Sequence, residues 1–219
     1  MKTGKKVGRM IGVLLLALFL GLMAGFVLLA PAVTKDYLNL ASAMPRTIRI
    51  AVMLLLADGG IALAIAVAAY PVFREYSRRM AVALTALGAV WVTLQAADNA
   101  YILSMLSLST QYAGAGGEST QLYNVLGAQL RSTRVWMHFT TLLSMDVWCG
   151  LFYALLYRFS LVPRPLAGIG LLAVMLHSLG ISLSAFVGFQ PAMSLGIVFG
   201  LSFVLIGGWL AVKGMAGNE

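Results

Sequence analysis

The chain has 219 residues, of which 61% are hydrophobic and 10% are charged, and its formal net charge is +8. Soluble domains carry charged residues at about a quarter of their positions, so this composition excludes an ordinary soluble domain and predicts an integral membrane protein. The basic residues stand at the ends of apolar segments and not in a stripe interleaved with aromatic residues. This arrangement excludes nucleic acid as a partner and leaves the lipid bilayer as the main one.

The first predicted element is a membrane-spanning helix near the N-terminus. Basic residues precede an apolar run from Met10 to Ala30. A signal peptide resembles this pattern, but its apolar core has only about 7 to 15 residues. We therefore expect an uncleaved spanning helix.

Five further apolar stretches follow. A helix needs about 20 mostly apolar residues to cross the hydrocarbon, and the stretches that qualify, with the first, are 10–31, 50–72, 81–107, 135–157, 166–188 and 192–212. Prolines and polar residues separate them, and in the longest break, 109–134, the run QLYNVLGAQLR predicts a short amphipathic helix at the membrane surface. The sequence predicts an all-α, polytopic membrane protein: one six-helix transmembrane domain over residues 1–219, with short loops typical of an up-and-down bundle.

Lys and Arg residues predict the orientation, because cytoplasmic loops are enriched in them. With the N-terminus inside, the cytoplasmic side has Lys2, Lys5, Lys6, Arg9, Arg74, Arg78, Arg79, Arg158, Arg164 and Lys213. The outer side then has only Lys35, Arg46, Arg49, Arg131 and Arg134. We expect both termini to be cytoplasmic.

Four ionisable residues lie deep inside the predicted spans: Asp58, Asp98, Asp146 and His177. Each costs about 2.5 kcal/mol or more in hydrocarbon, which makes each a candidate functional residue that needs a partner. At about 1.5 Å per residue, all four lie roughly 12 to 16 Å from the outer ends of their helices. We therefore predict that they converge on one polar layer.

Neighbouring polar residues extend this layer. Gln95 and Asn99 lie within one turn of Asp98, and Ser178 follows His177. Residues three or four apart share a helix face, so these side chains are expected to face the same interior as the ionisable groups.

His138 lies only about 4 to 5 Å inside the end of its predicted helix, beside Arg134 and Trp136, and we interpret it as a residue of the membrane interface. The depths argue against bis-histidine haem ligation, because His138 and His177 differ by about 10 Å. The one cysteine, Cys149, lies in an apolar helix, where a thiol is an inert packing group. With one cysteine, the chain can form neither an internal disulfide nor a CxxC metal site.

Three hypotheses fit the polar layer. The aspartates can be protonated and join helices by hydrogen bonds, or they can bind a proton or cation in a transporter, channel or sensor. The third is a divalent metal site at Asp58, Asp98, Asp146 and His177 that activates water in an intramembrane hydrolase of a lipid-like substrate. We favour a non-enzymatic role, as a small transport, sensing or accessory subunit that acts as a homo-oligomer or with partner membrane subunits.

The whole chain resembles a bacterial family of six-helix membrane proteins, the four-three-eight-six domain of unknown function. The resemblance is carried by KKVGRMIGVLLLALFLG, LADGGIALAIAVAAYPVFREYSRRMAVALTALGAVW and HFTTLLSMDVWCGLFYALLYRFSLVPRPLAGIGLL. The family's pattern has comparable residues at the positions of His138, Gly150, Arg158, Pro163 and Gly168. The resemblance therefore makes His138 a candidate site residue. It also implies the six-helix fold and no activity. We expect the chain to lie in the inner (plasma) membrane.

Overall fold

The structure is a computed structural model that describes residues 2–115, 119–188 and 192–216, with side chains described from residue 4 and, in the last segment, from residue 195. Regular structure in these ranges is helical. The helices are α1 (Lys2–Val33), α2 (Tyr37–Leu40), a 3₁₀ turn (Ala41–Ala43), α3 (Pro45–Tyr76), α4 (Arg78–Gly114), α5 (Thr120–Arg158), α6 (Arg164–Ser182) with a π-helical turn (Leu183–Val187), and α7 (Ala192–Lys213).

Six of these helices, α1 and α3 to α7, are long and apolar enough to cross a membrane. Each contains one of the predicted spans, except that the fifth ends with the π-helical turn at Val187 and not at 188, so the prediction of an all-helical, multi-pass membrane protein is confirmed. Lipid-facing helices satisfy every backbone hydrogen bond within the segment, which is why so apolar a chain adopts them. The sidedness of the termini and the identity of the membrane stay predictions.

The long polar stretch between the third and fourth spans is mostly helical and not a loop. Helix α4 continues to Gly114 and α5 already begins at Thr120, so QLYNVLGAQLR is the first part of α5 and not a separate surface helix. The stretch has no proline, and Leu, Ala, Gln and Arg, which are good helix formers, take most of the positions from 121 to 134, which favours the extension of α5 beyond its apolar part. The structure therefore corrects the expected beginning of the fourth spanning helix from 135 to Thr120.

By packing, the chain divides into two compact units, and the prediction of a single domain stays a prediction. The first unit comprises the described parts of Met1–Leu20, Gly59–Val92 and Leu142–Glu219. Aromatic side chains fill its interior: the Trp148 ring lies 5.6 Å from the Trp91 ring and stacks on Phe152 at 5.7 Å. Helix α6 packs along α7. The first unit thus has its own apolar core.

The second unit comprises Gly21–Asp58 and Thr93–Thr141. Its core includes Leu29, Ile48 and Met105, all nearly inaccessible to solvent. The short α2 is attached to it by two hydrogen bonds: the Tyr37 hydroxyl donates to the Gly127 carbonyl at 3.2 Å, and the Ser109 hydroxyl donates to the Leu38 carbonyl at 2.7 Å. Burial raises the pKa of Tyr37, so this hydroxyl remains a donor at neutral pH.

Candidate functional site

Asp146 and His177 form a buried pair in the first unit. Asp146 lies on α5 and His177 on α6, and His177 Nδ1 is 2.7 Å from Asp146 Oδ1. The second carboxylate oxygen, Oδ2, accepts a hydrogen bond of 2.8 Å from the Ser178 hydroxyl. Asp146 is 2% and His177 6% exposed. The predicted polar residues Asp146, His177 and Ser178 are therefore in contact with one another.

The second ring nitrogen of His177 points toward α7. A Cβ added to Gly196 would lie 3.9 Å from His177 Nε2, so the glycine leaves space beside this atom. The imidazole stacks on Phe199, with ring centroids 4.5 Å apart and planes 10° apart. The Asp146 carboxylate accepts a hydrogen bond at Nδ1, and the stacking fixes the plane of the ring. Both favour the tautomer with a proton on Nδ1, in which Nε2 has a lone pair.

Asp98 belongs to a different cluster, in the second unit. Arg134 makes a two-pronged contact with it, from Nε to Oδ1 at 3.0 Å and from a terminal nitrogen to Oδ2 at 3.2 Å. Asp98 is 1% and Arg134 7% exposed. The paired guanidinium offsets the charge of this buried carboxylate and satisfies both of its oxygens.

His138 completes the Asp98 cluster and is more than a residue of the membrane interface. Its Nδ1 lies 3.1 Å from Asp98 Oδ2 and 3.2 Å from an Arg134 nitrogen, while its side chain is 34% exposed. The sequence analysis missed Arg134 as a site residue. The signal was present, because Arg134, His138 and Thr141 share one face of α5 by their spacing.

Gln95 and Asn99 extend the polar face of α4 in the second unit. The Gln95 amide donates to the Asn99 side-chain oxygen at 3.1 Å. The Asn99 amide in turn donates to the backbone carbonyl of Val52 on α3, also at 3.1 Å. These residues therefore link α4 to α3 by hydrogen bonds and contribute no charge.

Asp58 has a third environment, also in the second unit. Its side chain is 2% exposed, and its Oδ2 has no hydrogen-bond partner among the described residues. A Cβ added to Gly21 of α1 would collide with the carboxyl group. The Asp58 carboxyl group therefore occupies space that is available only because Gly21 has no side chain.

The four deep residues thus fall into three local settings. Within the described ranges, no group of three or more His, Cys, Asp and Glu side chains is arranged to hold a metal ion. The layer joining Asp58, Asp98, Asp146 and His177 would combine residues of both units, so that layer and its divalent metal stay predictions.

A family model described as Domain of unknown function (DUF4386) matches residues 10–214, nearly the whole chain. Comparisons with curated proteins and with solved structures gave no significant match.

Proposed function

The chain belongs to the DUF4386 family, whose description names no activity, and from the site geometry we propose a non-enzymatic membrane protein that binds a proton at Asp146 and His177. Its class is a small transport, sensing or accessory subunit, acting as a homo-oligomer or with partner membrane subunits. The observation that carries this proposal is the 2.7 Å contact between His177 Nδ1 and Asp146 Oδ1.

The pair suits reversible proton binding because its two members complement each other. In the neutral form, Nδ1 donates to the carboxylate and Nε2 is free to accept a proton. A proton on Nε2 turns the ring into an imidazolium whose charge is offset by the Asp146 carboxylate in direct contact. The bound state is therefore a neutral ion pair, which a buried site tolerates far better than an isolated charge.

The Asp98 cluster is less suited to this role. Its carboxylate is already balanced by Arg134, whose guanidinium stays protonated throughout the physiological range. We assign that cluster a structural function, and the Asp146–His177 pair the exchangeable proton.

Nitrogen NMR of histidine gives the direct test, since the chain has only 2 His. Protein with ¹⁵N-labelled histidine rings is placed in lipid bilayers, and the His138→Gln variant assigns the His177 signals. When the site takes up its proton, we expect His177 to change from one protonated ring nitrogen to two. In Asp146→Asn the doubly protonated form should be lost, because the balancing charge is gone.

Ser178→Ala is the matched control, because it removes a hydrogen bond from Asp146 but keeps both members of the pair. It should retain the His177 titration. A His177 ring with one protonation state at every pH, or the same titration in Asp146→Asn and wild type, would refute the proposal.

A cation is the alternative ligand, and an intramembrane hydrolase with a divalent metal is the alternative function. His177 Nε2 would then coordinate the metal, with Asp146 orienting the ring from its other nitrogen. Metal content of protein purified without chelator distinguishes the two. A near-stoichiometric metal that disappears in a folded His177→Gln variant would favour the cation reading over the proton.

A further inference from the structure

Asp58 is the deep carboxyl group with the fewest polar contacts in the described chain. It is 2% exposed, and its Oδ2 makes no hydrogen bond to the described residues. It sits against α1 at Gly21, where no side chain of α1 is in the way. One helical turn further along α1, a Cβ on Gly25 would press against the Leu55 side chain at 2.8 Å. The two glycines let this part of α1 pack closely on α3.

Among the described residues of its unit, no positive charge is paired with Asp58. On α1, the segment Gly21–Val33 has no ionisable side chain. On α3, Arg46 and Arg49 are exposed and lie more than two helical turns before Asp58. On α4 and α5, Asp98, Arg134 and His138 contact one another. The remaining cations of the described unit are Arg131, which interacts with Tyr37, and Lys35, which is exposed. An ionised Asp58 would therefore be a buried charge without a counterion, which is among the most costly arrangements in an apolar interior.

We infer that Asp58 is a second proton-binding site and that its proton holds α1 against α3 in the second unit. With the proton bound, the neutral carboxyl fits the space beside Gly21 and the two helices stay packed. When the proton leaves, the carboxylate requires water or a cation, so the contact between Gly21 and Asp58 opens. This inference is independent of the Asp146–His177 proposal, because it rests on different residues.

Infrared spectroscopy tests the protonation state. A protonated carboxyl has a carbonyl stretching band that the ionised form lacks, and a carbonyl without hydrogen bonds absorbs at higher frequency than a bonded one. We expect a high-frequency band at neutral pH that is absent from Asp58→Asn and present in Asp98→Asn. Absence of the band in wild type at every pH above about 5 would overturn the inference.

Distance measurement tests the coupling to helix packing. Spin labels are attached to cysteines replacing Phe26 on α1 and Met53 on α3, which are 58% and 71% exposed, in a Cys149→Ala background. On raising the pH, the distance between the labels should increase in wild type and stay constant in Asp58→Asn. An equal response in both proteins, or none in either, would refute the coupling.

Gly21 supplies a matched steric test. In Gly21→Ala, the new methyl group collides with Asp58, so the labels should be further apart at every pH. In the double variant Gly21→Ala with Asp58→Ala, the methyl group takes the space of the lost carboxyl, and the short distance should return without pH dependence. A Gly21→Ala protein with the wild-type distance and pH response would show that the space beside Gly21 does not hold Asp58.

Discussion

At the scale of single residues, Arg134 has the clearest energetic role, because it balances a carboxylate that is 1% exposed. Changing Arg134 to Gln leaves Asp98 with His138 but without its two-pronged partner. Removing one member of a buried ion pair typically costs about 3 to 5 kcal/mol. We expect Arg134→Gln to lower the thermal stability of the detergent-solubilised protein strongly, and Asp98→Asn with Arg134→Gln to recover much of the loss, because no charge then remains unbalanced.

Arg49→Gln is the control, since this arginine is exposed in the same unit. It should change stability by less than about 0.5 kcal/mol. If Arg134→Gln and Arg49→Gln melt alike, or if the double variant is weaker than Arg134→Gln alone, Arg134 does not have the role assigned to it.

For single residues, the sequence predicted which side chains are costly to bury in the membrane, but it did not predict which side chains they contact. An aspartate in hydrocarbon is expensive wherever it lies, so Asp58, Asp98 and Asp146 could be recognised from hydropathy alone. Their partners depend on which helix faces approach each other, and those faces are not set by composition. Arg134 was missed because its depth was counted from an expected helix end at 135, whereas α5 begins at Thr120.

At the scale of helices, the close approach of α1 and α7 in the first unit depends on glycine. A Cβ on Gly12 would collide with backbone atoms of Gly207, Leu210 and Ala211, which cannot turn aside as a side chain can. Small residues are what allow spanning helices to approach this closely. We expect Gly12→Ala to destabilise the protein by about 1 to 3 kcal/mol, as overpacking does, in a thermal or denaturant unfolding measurement.

Gly208→Ala is the matched control on α7, because a Cβ there has nothing within 4 Å. It should leave stability unchanged or raise it slightly, since alanine is the better helix former. Equal losses in Gly12→Ala and Gly208→Ala would mean that helix propensity, and not the contact between α1 and α7, controls the effect.

Element boundaries were predictable where hydrophobicity sets them and unpredictable where packing does. The polar residues between 107 and 134 predict a segment that is exposed to water. Exposure to water does not determine whether the segment is helical. In the structure, contacts such as that of Tyr37 with Gly127 support α5 beyond its apolar part. Such tertiary contacts override a break inferred from polarity.

For the whole molecule, composition was sufficient for the fold class. Six runs of about 20 apolar residues leave six spanning helices as the economical solution, because unpaired backbone groups are excluded from lipid. Periodicity could not supply the pairing of Asp146 with His177, since both lie on helices that are apolar around most of their circumference. The depth argument placed the two residues at similar levels, but it could not distinguish this pairing from others at the same level.

The sidedness of the whole chain is the remaining global prediction, and it follows from the distribution of Lys and Arg. Single cysteines are introduced at Thr34, between α1 and α2, and at Ala216, after α7, in a Cys149→Ala background; both positions are exposed. A membrane-impermeant maleimide applied to intact cells should label Thr34→Cys and should label Ala216→Cys only after permeabilisation. The reverse pattern would place the larger set of basic residues outside, against the bias that orients most polytopic proteins. Labelling at both positions in intact cells would instead contradict the odd number of crossings, five, that the spanning helices α3 to α7 predict between them, or show that the cells were leaky, which a cytoplasmic marker protein in the same sample decides.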